Sequence, residues 1–193
     1  QSRSSAASDV YKRQVVAKPS EITPMTAYLL SKICKEINFP KGVLNIVHGR
    51  GEKLGDALTT HQDVPIVSFT GGSDTGKHIS KVTAPYFKKL SLELGGKNPN
   101  IIFDDCDFDK AVSTASRAAF TNQGQICLCG SRVFVQNKIY EKFKSALVDK
   151  AKKLIVGDPK SSNSHLGAVV SEEHMNKILL KIKEAKKLGG TLL

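Results

Sequence analysis

The sequence predicts an α/β fold of the doubly wound kind, a largely parallel sheet whose strands are joined by crossover helices. Two observations carry this. Short runs rich in Val, Ile and Leu recur along the chain, each followed by a stretch with apolar residues at helical spacing. Glycine-bearing turns, "VHGRGEKLG" and "FTGGSDTG", fall where a strand hands over to a helix.

The elements follow in order. "VVAK" reads as a strand, and Thr23-Pro24 opens a helix through "AYLLSKICKEI", since proline suits a helix start. "GVLNIVHG" is a strand and "EKLGDALTTH" a short helix. "VPIVSFTG" is a strand, "DTGKHISKVTA" a helix and "KKLSLELGG" a further strand. After "LGGKNP" the rhythm restarts with the strand "NIIFDD" and the helix "DFDKAVSTASRAAFTN", with Asp107 as its cap. "SRVFVQ" is a strand, followed by a helix over about 138–154 and another over about 171–188 that stops at Gly189-Gly190. "TLL" at 191–193 reads as the beginning of a strand. The paired glycines Gly95-Gly96 mark a domain boundary, giving portions over 15–95 and 96–193. Residues 1–14, polar and rich in Ser and Ala without an apolar period, read as a leader that is disordered or foreign to the fold.

Composition sets the class. Of the 193 residues, 40% are hydrophobic and 24% charged, an ordinary globular balance. No run of eighteen apolar residues and no apolar signal region occurs, so neither a membrane span nor secretion is expected. Cys34, Cys106, Cys127 and Cys129 form no C-x-x-C pair and read as free thiols of a cytoplasmic protein. A C-x-C without a second ligand pair, and with scattered histidines, argues against a bound metal. The net charge of +11 raises a nucleic-acid reading. The lysines, however, alternate with apolar residues on helical faces, and no aromatic-basic motif accompanies them, so no nucleic-acid partner is expected.

Candidate chemistry begins with the glycines. Gly71, Gly76 and Lys77 nearly spell a P-loop, but His78 stands where a hydroxyl should hold Mg²⁺, and a neutral imidazole suits that hard cation poorly. "VHGRGEKLG" is one residue longer than the dinucleotide fingerprint. Either loop alone reads as an ordinary strand-to-helix turn. Two in succession shift the balance towards a dinucleotide. Lys18 and Glu21 lie just past the carboxyl end of a strand, where they suit ribose or phosphate contacts, although spacing alone favours a helix entrance. Glu93 alternates with Leu92 and Leu94 before two glycines. In a buried strand its carboxylate costs several kcal/mol unless paired, solvated or protonated, and such a group can act as a general base; on an edge strand it simply faces water. Cys127, between Gly124 and Gly130, is the sharpest signal. An ordinary thiol is only a few per cent thiolate near neutrality, and backbone amides in a glycine-flanked turn favour the ionised form. The bland alternative is a small buried hydrophobe, a role Cys129 suits better.

Taken together, "AKPSEITPMTA", "GVLNIVHGRG", "VSFTGGSDTG", "LSLELGGKNPNIIFDD" and "FTNQGQICLCGSR" resemble the aldehyde dehydrogenase superfamily in order and spacing, over nearly all of 15–193. "APYFKKLSLELGGKNPNIIF" and "GQICLCGSRVFVQ" are most like the branch that oxidises a semialdehyde of tryptophan breakdown. The resemblance implies a Rossmann-like NAD-binding portion followed by the first part of an α/β catalytic domain. It implies Cys127 as nucleophile and Glu93 as general base. It implies Lys18, Glu21, Gly71, Gly72, Gly76 and Leu94 as cofactor contacts, with Glu21 favouring NAD over NADP. Gly72 departs from the many relatives that carry a hydroxyl there, which removes a side-chain contact and leaves the backbone ones. The partners implied are a small aldehyde and further copies of the parent chain, as a dimer or tetramer. The family's oxyanion asparagine, its E-x-F-G-P segment and its oligomerisation strand have no counterpart in 15–193, so this chain taken alone is expected to be inactive and poorly soluble. A non-catalytic nucleotide-binding or interaction protein is the alternative.

Overall fold

Val15, Val16 and Ala17 can hydrogen-bond as a strand only beside a neighbour, and the chain supplies one across a helix. The computed structural model describes residues 14–193. The leader expected over 1–14 therefore falls outside the described residues, save for Gln14. Strand β1 (Val15–Ala17) runs parallel to β2 (Leu44–Ile46), with Val15 opposite Leu44 and Ala17 opposite Ile46. The connection is α1 (Met25–Glu36), preceded by Pro24 at the cap position, where a missing N–H costs nothing. Next come α2 (Gly51–Thr59), β3 (Ile66–Gly71), α3 (Ser73–Thr83) and β4 (Lys89–Leu94), with β3 and β4 paired in a second sheet.

The second half repeats the arrangement. Strand β5 (Pro99–Ile102) runs parallel to β6 (Arg132–Val135), joined through α4 (Phe108–Phe120). Asp107 caps α4 as expected, its carboxylate accepting from the Lys110 N–H at 3.2 Å. Helices α5 (Tyr140–Lys152) and α6 (Glu172–Lys187) follow, the latter capped by Ser171. The structure is thus α/β with parallel strand pairs. The strands are shorter than their apolar runs, because each keeps only the residues that face a neighbour.

By their contacts the residues fall into two units. One runs to Thr70 and adds Asp74–Glu93; the other holds Gly71–Ser73 and Leu94–Leu193. The second unit has the denser core. Phe143 and Ala115 are fully buried against Ile102 and Val112, with Phe108 set edge-on to Phe143 at 5.9 Å between ring centroids. Burying one such phenylalanine stabilises by roughly 1.5–3 kcal/mol. In the first unit Val67, Ile79 and Thr83 are buried, yet no residue of α1 or α2 is.

One expectation changes, and one open alternative is resolved. Thr191–Leu193 forms no strand, because none of the described strands lies beside it to complete the hydrogen bonds. A parallel bridge joins Val156 to Leu166 instead, between residues whose spacing carried no strand signal. Glu93 does not lie in a buried strand: β4 exposes it, giving the solvent-facing arrangement of the two that the alternation allows.

Candidate active site

Lysine and glutamate three residues apart in a turn can meet, and in the first unit they do. The Lys18 ammonium donates to Glu21 Oε2 at 3.1 Å, Pro19 O at 2.8 Å and Gly49 O at 3.0 Å. The loops that follow β1 and β2 are thereby tied together. All three ammonium protons are engaged, so Lys18 acts first as a brace. The Gly51 N–H, at the start of α2, approaches Glu21 Oε1 at 3.4 Å. Its own backbone N–H, then Lys18 and Gly51, hold the Glu21 carboxyl down to about 2. Glu21 is therefore an ionised, half-exposed acceptor with lone pairs to spare.

Gly71 ends β3, and Gly72 leads into α3. A side chain at Gly72 would meet nothing within 4 Å, so its backbone is open to a ligand's approach. Gly76 is buried within α3. His78 turns to Asp56, with Nε2 2.7 Å from Oδ1, and Lys77 lies 3.8 Å from Asp74. The P-loop's metal-binding position is thus turned towards a neighbouring helix, in keeping with the sequence argument. Glu93 lies exposed near the end of the first unit, and Leu94 is half-buried at the start of the second.

Cys127 lies in the connection from α4 to β6. After Phe120 the chain passes through three successive left-handed residues: Asn122 (φ 51°), Gln123 (φ 56°) and Gly124 (φ 71°). Only glycine takes this conformation without steric cost, and at Gly124 a Cβ would also stand 2.9 Å from the Ala119 carbonyl. The Gln123 carboxamide donates to Gly167 O at 3.0 Å and holds the reversal. The turn that follows is fastened at several points. The Cys129 N–H donates to Ile126 O at 2.9 Å, and the Gly130 N–H to Ala118 O at 3.2 Å. Gly130 packs so closely that a Cβ would come within 3.2 Å of the Asn100 side chain.

Asn98, which the sequence reading did not single out, grips this turn from the other strand. Its Nδ2 donates to Cys127 O at 2.7 Å and Cys129 O at 3.2 Å, while its carbonyl accepts the Arg132 N–H at 3.1 Å. The one local hint is Pro99, which keeps its predecessor extended. Cys127 is exposed, and Cys129 is buried as its bland role requires. Among the described residues no acceptor engages the Cys127 backbone N–H. A thiol and a free amide therefore share one rigid, solvent-facing turn. The four cysteines are free thiols, and among the described residues no cluster of metal-ligating side chains occurs.

Comparison with known proteins identifies the arrangement. The profile of the aldehyde dehydrogenase family matches residues 10–193. A 2-aminomuconic semialdehyde dehydrogenase of Danio rerio is 48% identical over 164 residues, 85% of this chain and 34% of that protein. A betaine aldehyde dehydrogenase of Vibrio vulnificus is 44% identical over 179 residues, 93% of this chain and 37% of that protein. The crystal structure of betaine aldehyde dehydrogenase from Staphylococcus aureus in complex with NAD⁺ superimposes with a TM-score of 0.90 at 46% identity, covering 93% of this chain and 35% of that one. The chain thus spans little more than a third of the length of the relatives it matches.

Proposed function

The chain belongs to the aldehyde dehydrogenase family, and from that premise we propose that it carries the nucleophile and part of the cofactor site of an NAD-dependent enzyme that oxidises an aldehyde to a carboxylate. The observation that carries this reading is the Cys127 turn: an exposed thiol, a backbone N–H without an acceptor, and a double clamp from Asn98.

In this reading the Cys127 thiolate attacks the aldehyde carbon and forms a thiohemiacetal. The Cys127 N–H, without an acceptor among the described residues, donates to the developing oxyanion. Bound NAD would supply the hydride acceptor for that carbon, and Cys127 would then hold the acyl group as a thioester. Glu93, exposed on β4, takes a proton from water, whose oxygen attacks the thioester; the carboxylate departs and the thiolate returns. The residues present fit the cofactor. Glu21 offers acceptor oxygens to the two hydroxyls of an adenosine ribose and would repel a 2′-phosphate, so NAD rather than NADP suits it. Lys18 contacts the ribose only by exchanging one of its three present partners. Gly72 leaves the backbone open beside α3, Gly71 ends β3 just before it, Gly76 is buried in that helix, and Leu94 supplies an apolar contact.

The portion over 15–95 is then part of a cofactor domain and 96–193 part of a catalytic one. The substrate proposed is 2-aminomuconate semialdehyde, which the similarity to the zebrafish enzyme supports. Small size of the substrate, a homo-oligomeric parent and a cytoplasmic setting for the free thiols belong to the same reading. No described helix is long and apolar enough to cross a membrane. The test is NADH formation by the full-length protein with 2-aminomuconate semialdehyde and with betaine aldehyde. Cysteine-dependent NADH, abolished by Cys127→Ala and faster with the muconic substrate, is the expected result. NADH that survives Cys127→Ala would overturn it.

A further inference from the structure

Beside the Cys127 turn lies an open cavity of about 310 Å³, at the lower end of the range of roughly 300–1,000 Å³ typical of small-molecule sites. The two residues that flank Cys127 in sequence, Ile126 and Leu128, both line it, as does buried Cys129. Leu128 is 81% exposed, an unusual position for a leucine unless something apolar covers it. Arg117 and Thr121, from the carboxyl end of α4, line it as well. The Thr121 hydroxyl donates to Arg117 O at 2.6 Å and fixes that last turn. Among the described residues the Arg117 guanidinium has neither an ion-pair partner nor a hydrogen-bond acceptor. Its five N–H donors thus lie at a cavity whose remaining wall is largely hydrocarbon.

This combination has a chemical complement. A guanidinium fork binds a carboxylate through two parallel hydrogen bonds, and apolar walls accept a short carbon chain between that carboxylate and a reacting end group. Resting on the reading of the chain as part of an aldehyde-oxidising enzyme, we propose that Arg117 anchors a carboxylate carried by the aldehyde, so that the cavity beside Cys127 selects acidic aldehydes over neutral ones of equal length. The ordinary role of an arginine in the last turn of a helix is to complement the helix dipole. That role affects stability and leaves substrate choice unchanged, so the two separate cleanly.

The experiment compares kcat/KM for 6-oxohexanoate and hexanal in the full-length protein and in its Arg117→Gln and Arg117→Lys variants. The expected result is a preference for 6-oxohexanoate in the unaltered protein. Arg117→Gln should lower kcat/KM for 6-oxohexanoate by about a hundredfold, mainly through KM, and leave hexanal within about twofold. Arg117→Lys, which keeps the charge but not the fork, should retain part of the preference. Equal losses on both aldehydes, or no loss on either, would overturn the anchor while leaving the enzyme reading intact. No NADH from either aldehyde with the unaltered protein would overturn both.

Discussion

In the β1–β2 pair the polar groups gather beyond the carboxyl ends of the strands, where Lys18 reaches across to Gly49. In the β5–β6 pair they gather at the amino ends, where Asn98 holds the Cys127 turn. The first arrangement is held by charge: α1 and α2 bury no residue, and one ammonium ties two loops. The second is backed by packing, since α4 and α5 close on Phe143 and Ala115 next to the strands that carry the turn. On the proposed reading, a group that contacts a polar cofactor tolerates the looser scaffold. A nucleophile gains from the tighter one, because small displacements of reacting atoms are costly in rate.

Truncating the core should sharpen the contrast most. Phe143→Ala should destabilise the second unit by about 3–5 kcal/mol, whereas Leu30→Ala, on a helix without buried residues, should change the first by under about 1 kcal/mol. Urea unfolding followed by amide exchange in each unit measures both, and equal losses would erase the distinction. A smaller effect is expected at the clamp. Asn98→Ala frees the carbonyls of Cys127 and Cys129 and should cost about 1–2 kcal/mol, with faster exchange of the Cys129 and Gly130 amides and no change at Lys18. Unchanged exchange at those amides would show that the turn stands without its clamp.

The smallest perturbation is a proton. Because folding lowers the Glu21 carboxyl from its ordinary 4.5 to about 2, its contribution is complete above about 4.5 and is lost as the pH falls through about 2. Carboxyl resonances followed by NMR should place its midpoint near 2. A midpoint near 4.5 would mean that the hydrogen bonds to Glu21 from its own backbone N–H, Lys18 and Gly51 are not formed in solution. Over the same range the Cys127 turn, held by neutral hydrogen bonds, should keep its amide protection.

What the sequence disclosed, and what it hid, divides by range. Asp107 was legible as a cap because the cap and the amide it satisfies are three residues apart. The order of strands and helices was legible from apolar spacing, and the glycines flanking Cys127 announced a tight turn. Asn98 was hidden, since its bonds span 29 and 31 residues and only the pairing of β5 with β6 brings them about. The exposure of Glu93 was equally hidden, because alternation says that a residue faces opposite to its neighbours but not which face meets water. The left-handed run through Asn122 and Gln123 ran against propensity, which favours glycine at such positions and gives no warning of two other residues in succession. The saturation of Lys18 by three acceptors depends on Gly49, 31 residues away, and no local motif encodes it.

The central claim is that Cys127 is the atom on which the aldehyde carbon is held. Its most direct test is to mix the full-length protein with NAD and 2-aminomuconate semialdehyde, quench in acid within the first turnover, and weigh the cysteine-containing peptides. The account predicts an acyl group on the peptide bearing Cys127, released by hydroxylamine and absent without NAD. An acyl group on Cys34, Cys106 or Cys129 instead, or NADH formed with no acyl-cysteine at any early time, would contradict it.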